Sequence, residues 1–167
     1  MKTYINIMDS INNWVKYLVS FFLVALAVLV VLQVTTRFVI NVPLSWTEEL
    51  AKYLMIYIVF LGSGLAMRHN QHIAIDFLLE IVKAENKARL QKIVLCICGI
   101  FSLVLVVYGT QLTYIVIGQS TPTLQYSMAW AYAAIPLGSL LMLCNVIALL
   151  MSPLEDDDAK ETVGDIL

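Results

Sequence analysis

Charged residues are scarce in this sequence, and one long stretch has none. Only 13% of the 167 residues are Asp, Glu, Lys or Arg, whereas 60% are hydrophobic. A typical soluble domain is about a quarter charged. No charged residue occurs between Ile93 and Leu154. The net charge of -2 offers no basic surface for nucleic acid. The composition therefore predicts a protein whose surroundings are the lipid bilayer, with no nucleic-acid partner.

The sequence also lacks the residue groupings that carry most enzyme chemistry. Its three cysteines lie in apolar stretches without a paired spacing, which indicates packing residues. No Ser-His-Asp or Cys-His arrangement and no glycine-rich phosphate loop is visible. His69, His72 and Asp76 would share one face of a helix, but they are too few to hold a metal firmly. We predict no enzyme activity, no cofactor and no metal site.

What the sequence does contain is four apolar segments of spanning length. Crossing a bilayer core of about 30 Å takes roughly 20 helical residues. The segments lie at about 15–36, 47–67, 92–117 and 128–151. The polar lead before the first segment has no cleavage site after it, so this segment is expected to be a retained anchor. The prediction is an all-α membrane protein: a single domain over 1–154, followed by an acidic cytoplasmic tail at 155–167.

The distribution of Lys and Arg predicts the orientation. In a four-span arrangement the N-terminus, the central loop and the C-terminus share one side of the membrane. That side holds eight basic residues and the other side holds two, Arg37 and Lys52. Positive charge is retained in the cytoplasm. Both termini are therefore predicted to be cytoplasmic.

Two connecting segments are expected to be more than plain loops. Residues 43–50 resemble a helix start, because Pro43 suits a first turn and Glu48 and Glu49 suit its positive end. Residues 73–82 alternate apolar and acidic side chains, which predicts an amphipathic helix lying on the cytoplasmic surface.

The spans lack the features of a complete transporter. Charged groups inside a membrane normally mark ion or substrate paths, and none lies near the centre of a span. Paired broken helices are also missing, since Pro136 has no counterpart in the first half. Small residues four apart, such as Gly62 and Ala66, permit close helix packing. They either close the chain's own bundle or face another membrane protein.

Several short motifs distinguish this sequence from other membrane proteins with four spans. Arg37–Phe38 ends the first apolar segment, and Trp46, Glu48 and Glu49 form a Trp-x-Glu-Glu box before the second. Further matching positions after the second span and in the second half are Gly64, Arg68, His72, Ile73, Asp76, Ser120, Pro122, Leu124, Trp130, Tyr132, Pro136 and Gly138. Over roughly residues 13–151 the chain resembles the DctQ-type small membrane subunits of tripartite ATP-independent periplasmic (TRAP) transporters, with the sialic-acid type favoured.

The resemblance implies a function and a set of partners. A subunit of this kind resides in the bacterial inner membrane and pairs with a large multi-span subunit that carries substrate and sodium by an elevator-like movement. A periplasmic binding protein delivers an organic acid such as a sialic acid or a C4-dicarboxylate. The small subunit would be a noncatalytic scaffold. The candidate partner-interface residues are Arg37, Trp46, Glu48, Glu49, Lys52, Gly62, Ala66, Arg68, His72, Asp76, Pro136 and Gly138.

Two alternative functions and one question about the glutamates remain open at this point. The chain could be the membrane anchor of a redox or quinone enzyme, or a small self-sufficient channel or carrier. For Glu48 and Glu49, one interpretation is a favourable charge at a helix N-terminus. The other is a pair with basic groups, either Arg37 or residues of the large subunit.

Overall fold

The computed structural model describes residues 2–42, 44–68 and 84–151, and most of them are helical. The helices are α1 Lys2–Thr35, α2 Ser45–Arg68, α3 Ala84–Ile115, α4 Ala129–Tyr132 and α5 Ala134–Met151. A π-helical turn, Thr36–Ile40, continues α1, and a 3-10 turn, Val116–Gly118, continues α3. The predictions for residues 73–82, for the tail and for His69, His72 and Asp76 lie outside the described residues.

Four segments are long and apolar enough to cross a membrane. They are Thr3–Ile40, Ser45–Arg68, Arg89–Gly118 and Ala129–Met151. The all-α membrane fold with four spanning helices is confirmed. α2 begins at Ser45 and runs without a break to Arg68. The helix start predicted within residues 43–50 is the first turn of this span.

α1 begins well before the apolar segment that predicted it. Its first turns place Tyr4, Met8 and Asn12 at intervals of four residues, and Val15 and Val19 continue the same helical face. Met8 is buried with Leu61 of α2 and Leu141 and Ala148 of α5, and the other apolar residues of this face pack around them. The polar lead is helical because one face of it packs against other spans.

The spanning helices lie side by side in the order α1, α2, α5, α3. α2 packs against α1 and α5, and α3 packs against α5. A groove of about 240 Å³ separates α2 from α3, between Phe60 and Phe101 and above Gly138. The two outer helices expose most of their apolar side chains, as Val28 on α1 and Ile100 on α3 illustrate. An arrangement of this kind suits a bilayer, because lipid can cover apolar faces that water cannot.

The break between α4 and α5 follows from a proline. Pro136 has no backbone N–H to donate to Tyr132, and its ring crowds the carbonyl group of that residue. The helix is interrupted at Ala133, and α5 begins at Ala134. Beyond the break, Gly138 lets α5 approach α2 closely. A Cβ atom at this position would lie 2.6 Å from the backbone of Phe60.

The layer of helices has two ends, a loop end and a terminal end. The loop end contains residues 41, 42 and 44, between α1 and α2, and residues 119–128, between α3 and α4. The terminal end contains the first turns of α1 and the last turns of α2 and α5.

Candidate functional site

Residues 119–128 form a compact turn at the loop end, called here the loop hairpin. The amide of Met128 donates to the carbonyl of Gln119, and that of Thr121 donates to the carbonyl of Tyr126, both at 2.8 Å. Gln125 has a positive φ of 58°, a value that a tight turn requires of it. The hydroxyl of Ser127 donates to the carbonyl of Ile117 at 2.7 Å. The hairpin is thus ordered mainly by its own backbone.

Glu49 joins this hairpin to α2. Its Oε2 accepts the backbone amides of Thr123 at 2.8 Å and Leu124 at 3.2 Å. Its Oε1 accepts the hydroxyl of Tyr53 at 2.9 Å. Only 8% of Glu49 is exposed. Successive backbone amides in a turn form a concave anion site, and here a side chain of the same protein occupies it. The carboxylate therefore anchors the hairpin to α2.

Aromatic residues close the same corner. The rings of Tyr53 and Tyr126 meet edge to face at 5.9 Å. Burial, and then the negative charge of Glu49, raise the pKa of Tyr126, so its phenol stays protonated. One turn deeper, the hydroxyl of Tyr57 donates to the carbonyl of Trp130 at 2.7 Å. The hairpin and the start of α4 are both held by α2.

The two acidic residues of the Trp-x-Glu-Glu box therefore differ. Glu48 is exposed and lies 3.3 Å from Lys52, one turn further along α2. Arg37 is exposed and stacks over the ring of Phe38 at 5.8 Å. The partners of Glu49 are a tyrosine and two backbone amides, contacts that neither interpretation included, and both interpretations stay predictions. No local pattern could have revealed this contact, since Glu49 and Thr123 are separated by 74 residues.

A second polar cluster ties three helices together near the terminal end. The side-chain amides of Asn12 and Asn145 donate to each other's oxygen, at 2.7 and 2.9 Å. Asn12 also donates to the carbonyl of Met8, and Asn145 donates to that of Gly64, both at 2.8 Å. Both asparagines are buried. The pair connects α1, α2 and α5 by hydrogen bonds that lipid cannot replace.

An ion pair completes the terminal end. The Nε and Nη2 atoms of Arg68 both donate to Oδ1 of Asp9, at 2.9 and 2.6 Å. The Arg68 side chain is only 15% exposed, whereas that of Asp9 is about half exposed. The hydroxyl of Tyr4 donates to the carbonyl of Cys144 at 3.1 Å. Arg68 was a candidate for contact with a partner, and its guanidinium is already bound within the chain.

The small residues separate into inward and outward ones. Gly138 is buried against Phe60, and Gly64 lies so close to Leu141 that a Cβ atom would be 2.9 Å from that side chain. A Cβ at Gly62 would meet nothing within 4 Å, and Ala66 is half-buried. Of the candidate residues, Arg37, Trp46, Glu48 and Lys52 are exposed, and their role towards a partner stays a prediction.

The chain resembles known transporter components. The family model for the DctQ component of tripartite ATP-independent periplasmic transporters matches residues 26–156, well over half of the chain. The chain is 30% identical over 134 residues to the sialic acid TRAP transporter small permease protein SiaQ of Vibrio cholerae. That match covers 79% of this chain and 76% of the relative.

Two other relatives are covered less completely. The match to the sialic acid TRAP transporter permease protein SiaT of Haemophilus influenzae is 36% identical over 75 residues, which is 45% of this chain and 12% of that protein. The C4-dicarboxylate TRAP transporter small permease protein DctQ of Vibrio cholerae is 25% identical over 99 residues, 59% of this chain and 41% of that protein. A redox-enzyme anchor finds no support among these relatives, which are transporter permeases and not enzymes. The chain belongs to the DctQ family and is a small permease subunit of a TRAP transporter.

Proposed function

We propose that this subunit serves a sodium-coupled transporter that imports an organic acid, with a sialic acid favoured over a C4-dicarboxylate. The preference rests on the relatives. The sialic acid small permease is 30% identical over 79% of the chain, against 25% over 59% for the C4-dicarboxylate protein.

The role within the transporter is that of a noncatalytic scaffold for a large, moving permease subunit. One observation carries this proposal: the buried polar side chains of the spans form their hydrogen bonds within the chain. Ser102 and Ser139 each donate to the carbonyl four residues earlier in their own helix, at 2.7 Å. Asn145 is shared with Asn12 and Gly64. In the described part of the chain, no buried side-chain nitrogen or oxygen atom lacks a hydrogen bond.

Because these polar groups already have partners, they are poorly suited to bind an ion. Binding a desolvated sodium ion or an anionic substrate within the bilayer requires several compensating groups. The buried hydroxyl and amide groups that the structure describes in the spans already have partners within the chain. Coupling would therefore depend on the large subunit. A layer of helices joined by polar contacts at both ends suits a subunit that stays still while its partner moves.

The orientation and the remaining partner belong to the same proposal. The terminal end would face the cytoplasm, in line with the bias of Lys and Arg. The loop end, with its fastened hairpin, would face the periplasm. A soluble periplasmic binding protein would deliver the substrate there and associate transiently with the assembled permease in the bacterial inner membrane.

The test is sodium-dependent uptake in liposomes that contain this chain, the large subunit and the loaded binding protein. Ser102→Ala and Ser139→Ala remove hydroxyl groups that bond only to their own helices. We expect the number of sodium ions per substrate and the apparent affinity for substrate to equal those of the unsubstituted complex. A changed sodium stoichiometry in either variant would contradict the scaffold role. Liposomes with this chain alone serve as the control and should take up no substrate.

A further inference from the structure

The outer face of α3 carries two polar side chains within a membrane span. Tyr108 is 65% exposed, and Gln111, three residues later, is also exposed. Residues three apart share one face of a helix. Neither side chain makes a hydrogen bond to any residue that the structure describes. The two define what we call the α3 polar face.

Both side chains lie inside the apolar span, more than one helical turn from its end. The span that contains them runs from Arg89 to Gly118. With a rise of 1.5 Å per residue, Gln111 lies about 10 Å and Tyr108 about 15 Å from Gly118 along the axis. The neighbouring Gly109 gives a second indication of this depth. A Cβ atom there would touch Ile135 and Pro136, which lie one turn or more into the last span. Tyr108 is therefore too deep for the ordinary interfacial position of a tyrosine.

Other polar side chains at this depth are satisfied. The hydroxyl of Thr110 donates to the carbonyl of Val106 at 2.7 Å, and that of Thr113 donates to the carbonyl of Gly109 at 2.8 Å. The outer face of α1 has a different composition. Its exposed side chains include Phe21, Val24 and Val28, and lipid covers such groups without loss.

An amide and a phenol surrounded by acyl chains would each lose their hydrogen bonds to water and gain none. From this we infer that the α3 polar face docks against a membrane-spanning helix of the large permease subunit, with side-chain or backbone groups that bond to Gln111 and Tyr108. The inference rests on the proposed function and specifies the contact surface. A lipid tail does not fit, because it offers no donor or acceptor.

The comparison with SiaT supports the choice of a permease subunit as the occupant. SiaT is much longer than this chain, and the 75 residues that match form only 12% of it. In that relative, a segment of this type and the rest of the permease are one chain, which places them together in one membrane assembly.

The decisive experiment is photo-crosslinking in membranes that hold the full transporter. The photoreactive residue p-benzoylphenylalanine replaces Tyr108 in one sample and Val28 in a matched control, which is 61% exposed on the outer face of α1. We expect a product with the combined mass of this chain and the large subunit from position 108 and none from position 28. A crosslink from position 28 alone, or a product of two copies of this chain from position 108, would overturn the inference.

Substitutions provide a second test with a separate readout. Gln111→Leu should lower the amount of large subunit that co-purifies with this chain by about threefold to twentyfold, the range for one hydrogen bond between membrane helices. Thr110→Val is the control, because its hydroxyl is already bonded within α3. Equal co-purification for both variants would contradict the inference. If the subunits co-purify but position 108 gives no crosslink, the docking face is wrong while the proposed function stands.

Discussion

The two ends of α2 are fastened by different chemistry. At the loop end, a single carboxylate, that of Glu49, accepts backbone amides of a hairpin that is ordered mainly by its own hydrogen bonds. At the terminal end, the Asn12–Asn145 pair and the Arg68–Asp9 ion pair connect side chains of separate helices. Loss of the first contact would free a local segment. Loss of the second would loosen the packing of whole helices, because no backbone ladder joins them.

The largest effect is expected from breaking the asparagine pair on one side. Asn145→Leu leaves the buried Oδ1 of Asn12 without its donor, which costs about 1–3 kcal/mol, while Nδ2 of Asn12 keeps its bond to the carbonyl of Met8. The carbonyls of Met8 and Gly64 keep their bonds within their own helices. We expect the double variant Asn12→Leu/Asn145→Leu to recover much of the lost stability, since no polar group is then left unpaired.

Unfolding by detergent in mixed micelles, followed by circular dichroism, would measure these differences. A double variant as unstable as the sum of the two single variants would contradict the paired hydrogen bonds. The same outcome would indicate that the site matters through its packing and not through its polar contacts.

A smaller effect on overall stability, concentrated in one segment, is expected from Glu49→Gln. The amide of the new side chain has one acceptor oxygen in place of two, so Tyr53 or the amides of Thr123 and Leu124 lose their partner. Loss of one or two such bonds costs about 1–2 kcal/mol. Hydrogen exchange should speed up in residues 119–128 and remain unchanged in α5.

Glu48→Gln is the matched control for this prediction. Its carboxylate is exposed and pairs only with Lys52, a type of contact that is worth about 0.3–0.5 kcal/mol on a helix. Hydrogen exchange in the hairpin should not change. Equal acceleration in both variants would show that charge at the start of α2 matters, and not the contact between Glu49 and the hairpin.

The smallest effect is expected from Arg68→Lys. The guanidinium places two donors on one oxygen of Asp9, and an ammonium group cannot reproduce that geometry. Because Asp9 is half exposed, solvent screens the pair, and we expect a loss below about 1 kcal/mol. The same micelle experiment would measure it. A loss as large as that of Asn145→Leu would mean that the ion pair is the main fastener of the terminal end.

Two features of the fold illustrate why part of it could be predicted and part could not. The spans could be predicted, because a bilayer demands about 20 apolar helical residues and the composition shows where they are. The helical polar lead of α1 could not. Its Met8 and Asn12 matter only because Leu61 and Asn145, far away in the chain, provide the surface and the bond that they meet.

Local chemistry in the sequence determined the class of the protein, its four spans, its lack of charge in the bilayer and its family, because hydropathy and short motifs act over neighbouring residues. Tertiary structure alone decided which polar residues form hydrogen bonds within the chain. Glu48 and Glu49 are adjacent and chemically identical, yet one faces solvent and the other holds a hairpin that begins 70 residues later. The difference arises because successive residues on a helix point about 100° apart, and only the packed neighbours determine what each direction meets.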